Sequence, residues 1–319
     1  MTEPDTDSAE YTALDLAEGM AVEPLTQWKL FTRRLRSHRL AMVSVFVLGT
    51  IAAIVLFADF LPLKDPLSQL RDSGGRPANL LSPRAAYWFG TDELGRDILA
   101  RVVDGGRTSL TVAGLTGLMV ATFGTTVGAI AGYYGGWIDT ALMRFVDLIL
   151  SLPLLPVAIV AAAWMRDAFR GREALSLAVL LGVLLWGGLA RIVRAEFLSL
   201  REKEFVEAAR ATGAKDRRII FRHILPNALS PIIVNTTLVV GLAIILEAAL
   251  SFLGFGVRVP TPAWGQMAAQ GGTLAVGGAS AWWVLVFPAV ALVTTVLSVN
   301  FLGDGLRDAL DPTQTIERR

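Results

Sequence analysis

The chain has 319 residues, of which 53% are hydrophobic and only 18% are charged, with a net charge of +1 and no cysteine. Soluble domains carry about 25% charged residues, so this composition predicts that lipid is the main solvent. The near-zero charge excludes a global field that would recruit nucleic acid, and the lack of cysteine excludes disulfides, iron–sulfur ligation and thiol catalysis.

The N-terminal region is polar up to the first apolar run, which begins near Leu40. A cleavable signal peptide would carry a short apolar core and a small-residue cleavage site near its start. We therefore expect the first apolar run to be an uncleaved signal anchor. Residues 1–27 are predicted to be a disordered polar tail, and residues 313–319 a short C-terminal tail.

Residues 28–39 lie directly before the first apolar run. Trp28, Phe31 and Leu35 recur at helical spacing, with basic residues between them. This pattern predicts an amphipathic elbow helix in the cytoplasmic interface of the membrane. An ordinary positively charged flank is the alternative.

Six segments are apolar and long enough to cross about 30 Å of hydrocarbon, and backbone groups in lipid require them to be helical. They lie at residues 40–60, 110–132, 140–165, 175–193, 232–253 and 282–302. Pro153 interrupts the third segment. The sequence thus predicts an all-α integral membrane protein with a six-helix transmembrane domain over residues 40–312.

Orientation follows from the lysines and arginines that flank the spans. The N-terminal flank and the link at residues 194–230 are both rich in them, so both are predicted to be cytoplasmic, together with both termini. The loop at residues 61–107 is then extracytoplasmic, although it holds seven basic residues. The outer link after the fifth span carries Trp264, for which contact with a binding protein and a membrane-interface position are both open.

The second span carries Gly124, Gly128, Gly132 and Gly136, each four residues apart. Such a row makes one smooth helix face that another backbone can approach closely. Packing within the subunit and packing against a partner would both use it, and the sequence leaves the choice open.

Several kinds of chemistry are missing from the chain. A phosphate-binding loop of the form G-x-x-x-x-G-K-[ST] needs a lysine directly after glycine, and none of the lysines follows one. The two histidines, His38 and His223, are far apart in sequence and predict no metal site. We expect no catalytic residue and no bound cofactor on this chain, so ATP and Mg would belong to another subunit.

The link at residues 194–230 has the features of a small cytoplasmic knob. Residues 204–212 are rich in helix formers, and Gly213 follows as a natural helix terminator. A second helix is predicted from near Lys215, with Pro226 ending it or setting its angle to the fifth span. The alternative is a solvated, positively charged loop that only fixes topology.

The run Glu207-Ala208-Ala209, with Gly213 and the later Leu225-Pro226, resembles the EAA motif of ABC-importer permeases. Other segments are similar to the C-type permease of the dipeptide/oligopeptide importer family, and they run in order over about residues 40–312. These are FGTDELGRD at 89–97, GYYGGW at 132–137, LSFLGFG at 250–256 and NFLGDGLRDALDP at 300–312.

The resemblance implies a type I ABC importer permease in the inner membrane. It implies a homologous second permease subunit, two ATP-binding subunits below and an extracytoplasmic peptide-binding protein above. Coupling to the ATPase would involve seven residues, namely Glu207, Ala208, Ala209, Arg210, Gly213, Leu225 and Pro226.

Few polar residues lie inside the predicted spans. A charge deep in a span is costly and usually faces a bundle interior or a wet cavity. Glu247, Asn235 and Asn300 are therefore candidates for the translocation path, with helix packing as the alternative for Glu247 and interhelical hydrogen bonds for the asparagines. Arg144 and Asp147 are three residues apart, which predicts a local structural ion pair.

Other functions remain open at this stage. A secondary transporter would show inverted repeats with broken helices, which are not evident. A membrane scaffold would need no cavity, and a membrane enzyme lacks a catalytic constellation. The importer family also includes carriers of glutathione and nickel complexes, so the substrate is open as well.

Overall fold

A computed structural model of the protein describes residues 27–72, 74–165, 168–169 and 171–310. Over these residues the chain is almost entirely helical, and its β-pairing consists of three isolated bridges between residues 71 and 97. The helices are α1 (Gln27–Ser37), α2 (Arg39–Leu56), α3 (Ile98–Tyr134), α4 (Gly136–Ser151), α5 (Leu154–Met165), α6 (Glu173–Arg201), α7 (Glu204–Ala211), α8 (Asp216–Arg218), α9 (Leu225–Phe252), α10 (Trp264–Val276) and α11 (Trp282–Leu310). Apart from Gln27, the two predicted tails lie outside the described residues.

The long apolar helices make up the membrane domain. Helices α2, α3, α6 and α11 are each long and apolar enough to cross a membrane, as is the continuous helix Asp216–Phe252. The pair α4 and α5 has the composition of a sixth span but bends by 88° at its break. With that pair counted as one span, the helices make the six spans that the sequence predicts.

The third predicted span, 140–165, is divided into α4 and α5 at the interruption that Pro153 predicts. Leu152 adopts an extended conformation (φ −73°, ψ 135°) at the end of α4. Pro153 follows it and has no N–H to donate, so the helical hydrogen-bond ladder cannot pass through this point.

The glycine row of α3 packs against α6. A Cβ atom added at Gly124, Gly128 or Gly132 would come within 2.9 Å of atoms of α6, and the one at Gly128 would lie 2.5 Å from the carbonyl oxygen of Ala190. Gly136 opens α4, has space around it and does not belong to the contact. The row therefore serves packing within the subunit, which allows α3 and α6 to lie in backbone contact.

The predicted elbow is a helix, α1, and it joins the first span at His38. The Nδ1 atom of His38 accepts a hydrogen bond from the Ala41 N–H at 3.1 Å and so caps α2. Ala41 packs closely on Gly305 of α11, because a Cβ atom on that glycine would lie 2.2 Å from the Cβ of Ala41. The elbow is thus fixed to the C-terminal part of the last span, and its interfacial position remains a prediction.

Helix α3 begins well before its predicted start at residue 110. Asp97 caps it, because its Oδ1 atom accepts a hydrogen bond from the Ala100 N–H at 3.2 Å. The predicted outer loop, 61–107, is correspondingly shorter. It is held to α11 by the indole of Trp283, which donates to the Thr91 carbonyl oxygen at 3.1 Å.

The outer link after the fifth span contains a helix, α10, that the sequence analysis did not predict. Trp264 at its start is only 2% exposed, and its indole donates to the Val102 carbonyl oxygen at 2.8 Å. A Cβ atom on Gly265 would lie 2.4 Å from the Cα of Ala248 in α9. The expectation that Trp264 contacts a binding protein or the membrane interface is wrong for this conformation, because the side chain is buried inside the chain.

Candidate coupling site and translocation path

Helix α7 is short and ends in a Schellman motif centred on Gly213. The Ala214 N–H donates to the Ala209 carbonyl oxygen at 3.0 Å, and the Gly213 N–H donates to that of Arg210 at 2.9 Å. Gly213 has φ 78°, a left-handed conformation that costs other residues about 1–2 kcal/mol. The predicted short helix with Gly213 as its terminator is confirmed.

The two faces of α7 differ in exposure. Val206 and Ala209 are buried and join a hydrophobic cluster of the chain itself, whereas Glu207, Ala208 and Arg210 are exposed. The methyl group of Ala209 anchors α7 to its own chain, and the contact of Ala209 with an ATPase remains a prediction. Glu207, Ala208 and Arg210 form the outward face of α7.

Pro226 does not end the helix that follows α7. Residues Ile219–Ile224 form a π turn between α8 and α9, and its i→i+5 pattern includes a hydrogen bond from the Leu225 N–H to the Ile220 carbonyl oxygen. Pro226 lies in the first turn of α9, where a missing N–H is tolerated. The helix therefore runs without a break from Asp216 to Phe252. We call this helix the rod; Leu225 and Pro226 lie on it, and it follows α7 in the chain.

The knob is fixed to the end of α3 by contacts that the sequence analysis missed. The Tyr133 hydroxyl donates to Asp216 Oδ1 at 2.7 Å, and the Arg210 guanidinium lies 5.9 Å from the centre of the Tyr133 ring. Arg201 also donates to the carbonyl oxygens of Gly132 and Tyr133. A tyrosine at the end of a predicted span was a visible signal, but its partner lies 83 residues away in sequence.

The predicted ion pair between Arg144 and Asp147 is wrong. Asp147 pairs with Arg191 of α6, whose Nη2 atom lies 2.6 Å from Asp147 Oδ1. About two helical turns nearer the start of α4, Asp139 accepts two hydrogen bonds from Arg194. The two pairs act between α4 and α6 because those helices lie side by side, and a cross-helix guanidinium reaches Asp147 where the neighbour on its own helix does not.

Glu247 is fully buried at the outer end of α9. Its Oε2 atom accepts a hydrogen bond from the Ser109 hydroxyl at 3.1 Å, and its Oε1 atom accepts one from the Ser251 hydroxyl at 2.8 Å. The side chain is 0% exposed, and in the described part of the chain no ion pair involves it. In this conformation Glu247 faces helix packing rather than an open path, and its role in translocation remains a prediction.

The two asparagines on the predicted path make different contacts. The Asn235 amide donates to the Pro231 carbonyl oxygen of its own helix at 2.8 Å, so its predicted interhelical hydrogen bond is wrong. Asn300 of α11 lies against Gly241 of α9, where an added Cβ atom would come 2.7 Å from its Oδ1 atom. Asn300 therefore marks a close α9–α11 contact, and the role of both asparagines in translocation remains a prediction.

Comparison with known proteins places this architecture in a family. Residues 124–316 match the model of the binding-protein-dependent transport system inner membrane component, and residues 26–81 match the N-terminal TM domain of oligopeptide transport permease C. The chain belongs to the binding-protein-dependent transport system inner membrane component family. The resemblance drawn from the EAA run is confirmed, as is the multi-pass location in the inner membrane.

Members of this family with assigned names align over nearly the whole chain. The dipeptide transport system permease protein DppC of Alkalihalophilus pseudofirmus is 43% identical over 92% of this chain and 91% of its own length. The oligopeptide transport system permease protein OppC of Haemophilus influenzae is 38% identical over 93% and 92%. The glutathione transport system permease protein GsiD of Pectobacterium atrosepticum is 39% identical over 90% and 91%.

The fold also has a counterpart among solved structures. The chain is similar to a chain of the MetNI methionine ABC transporter in an inward-facing conformation, with a TM-score of 0.52 and 22% identity over 67% of this chain and 98% of that chain. At this identity the likeness concerns the fold alone. It confirms the predicted type I importer permease fold.

Proposed function

We propose that this chain is the permease subunit of an ATP-driven importer of dipeptides or oligopeptides. It forms half of the translocation channel, and a homologous second permease subunit forms the other half. Two ATP-binding subunits carry the ATP and Mg, and an extracytoplasmic peptide-binding protein delivers the substrate. The names and the 38–43% identity of the dipeptide and oligopeptide permeases support the peptide substrate.

The observation that carries the coupling role is the outward face of α7. Glu207, Ala208 and Arg210 are exposed, while Tyr133, Asp216 and the Schellman motif hold the helix that bears them. A helix held in this way transmits force rather than yielding to it. The small side chain of Ala208 allows close approach, and its charged neighbours offer complementary pairing with an ATPase groove.

The test is co-purification of the ATPase subunits with a charge-reversed α7. We expect Glu207→Lys to lose the ATPase subunits and peptide uptake while keeping the second permease subunit. An unpaired lysine in a docked interface costs about 2–5 kcal/mol, which corresponds to roughly 30-fold weaker binding or more. Asp304→Lys is the matched control, because Asp304 is an exposed acid on α11, away from α7.

Full ATPase retention and full uptake in Glu207→Lys would refute the docking role of α7. Loss of both in Asp304→Lys as well would show that the effect is one of net charge and not of site. The same preparation also tests the substrate. Uptake of a labelled dipeptide, an oligopeptide and glutathione is compared directly, because the similarity to a glutathione permease favours glutathione as the second candidate.

A further inference from the structure

The outer end of the bundle contains a buried polar network that joins three helices. The Trp264 N–H at the start of α10 donates to the Ser109 hydroxyl oxygen of α3 at 3.3 Å. That hydroxyl donates in turn to Glu247 of α9, which also accepts from Ser251. We call these four residues, Ser109, Glu247, Ser251 and Trp264, the outer joint.

Close backbone packing makes the outer joint stiff. Gly265 of α10 lies against Ala248 of α9, and a Cβ atom on Gly271 would lie 2.4 Å from the backbone nitrogen of Leu285 in α11. Gly106 of α3 similarly lies against the ring of Trp264, 3.0 Å from an added Cβ. Packed backbones at these distances shift together, because interfaces without free volume do not deform continuously.

The outer joint is connected to the coupling site by one helix. The helix Asp216–Phe252 contains 37 residues, which corresponds to about 55 Å at 1.5 Å per residue. It begins where Asp216 meets Tyr133 beneath α7, and it carries Glu247 near its other end. A displacement of α7 therefore reaches the outer joint along a single rod.

Packing alone does not explain a glutamate at position 247. A carboxyl group buried without a cation is costly, and an apolar side chain of the same volume would pack with less penalty. Its two carboxylate oxygens instead fix the orientation of the side chain, because one accepts a hydrogen bond from Ser109 on α3 and the other accepts one from Ser251 on α9.

From these contacts we infer that Glu247 is a positioning residue that fixes α10 to the rod, so that movement of α7 by the ATPase also moves α10. Through this link the position of α10 on the predicted extracytoplasmic face, where a binding protein docks, changes with the state of the ATPase. The inference rests on the proposed function, because it needs an ATPase below and a binding protein above. It adds a residue and a route that the proposed function does not specify.

The experiment uses the complete importer complex with a label on α10. The chain has no cysteine and Val276, at the end of α10, is 92% exposed, so Val276→Cys gives this chain one reactive thiol. The other subunits are used as cysteine-free versions, and a fluorophore on this thiol reports ATP-dependent movement. Three variants are compared on this background: Glu247→Met, which keeps volume without polar atoms, Glu247→Gln, which keeps both serine links if its NH2 group donates to one of the two hydroxyls, and Thr295→Val.

Thr295→Val is the matched control because Thr295 is fully buried and its hydroxyl donates only within α11, to the Ala291 carbonyl oxygen at 2.8 Å. We expect the ATP-dependent fluorescence change to persist in Glu247→Gln and in the control and to disappear in Glu247→Met. The ratio of ATPase activity with binding protein to activity without it should fall to one in Glu247→Met alone.

A full fluorescence change and an unchanged ATPase ratio in Glu247→Met overturn the inference. If Glu247→Met does not assemble, Ser109→Ala takes its place, since it removes the hydrogen bonds of the Ser109 hydroxyl to Glu247 and to the Trp264 N–H with a minimal change in volume. Normal coupling in Ser109→Ala then overturns it equally. If the labelled background itself shows neither uptake nor stimulated ATPase activity, the proposed function fails, and that outcome is distinct from normal coupling in a joint variant.

Discussion

Substituting Gly128 by alanine tests the close contact between α3 and α6. The new methyl carbon would lie 2.5 Å from the Ala190 carbonyl oxygen and 2.7 Å from the Val193 Cβ atom. Ordinary contact requires a separation of roughly 3.4 Å or more, so the helices must move apart by about 0.9 Å or bend. Overpacking of this kind costs about 1–3 kcal/mol, against roughly 0.5–1 kcal/mol gained from replacing a helical glycine.

The assay is the apparent Tm of the full-length chain in detergent, followed by tryptophan fluorescence at one fixed scan rate. Gly114→Ala is the control, because Gly114 lies on the same helix and has no atom within 4 Å of an added Cβ. Gly114→Ala should gain only the roughly 0.5–1 kcal/mol of stability that comes from replacing a helical glycine. The two variants should then differ by about 2 kcal/mol, or about 3 °C in Tm for a chain of this length.

The reasoning has a clear point of failure. If Gly128→Ala unfolds at the same temperature as Gly114→Ala, then α3 and α6 are not in backbone contact at this position. A lower Tm for both variants would instead show that α3 tolerates no added methyl on any face, which the open space at Gly114 argues against.

Three further predictions address the cytoplasmic side. In double-mutant cycles followed by Tm, Asp147 should couple to Arg191 by no more than about 1 kcal/mol, since the pair is half-exposed, and should not couple to Arg144. Tyr133→Phe should speed trypsin cleavage in the segment between α7 and α9, because it removes a hydrogen bond to a carboxylate worth about 1.5–3 kcal/mol; an unchanged cleavage rate would contradict this. Gly213→Ala should destabilise the chain by about 1–2 kcal/mol, and an asparagine there should lose less, because the cost is conformational and the site has free space around it.

Local signals were sufficient for much of the fold. Runs of about 20 apolar residues predicted the six spans, because the thickness of the hydrocarbon sets the length of each helix. The break at Pro153 was visible as an interruption, although the 88° bend was not. The end of α7 was predictable from Gly213, because glycine adopts the left-handed conformation at a helix end without steric cost. That preference does not depend on distant neighbours.

The candidate site was only partly predictable for the opposite reason. The sequence predicted the residues on the outward face of α7. It also included Ala209, which is buried, because tertiary packing decides which side of a helix faces the core. Asp147 had a plausible partner three residues away and found a better one on α6. In both cases the pattern of neighbouring residues predicted one contact, and the packing of the helices produced a different one.

The sequence by itself predicted that this chain is a membrane protein, which segments are apolar enough to span, where the short helix α7 ends and which family it resembles. Those properties depend on hydrophobicity and backbone preference within a few residues. Only the tertiary structure decided that the glycine row faces α6, that α10 is a helix, and that Glu247 meets Ser109, which is 138 residues away in sequence. Contacts of that range depend on how whole helices pack, and packing is a property of the assembled bundle.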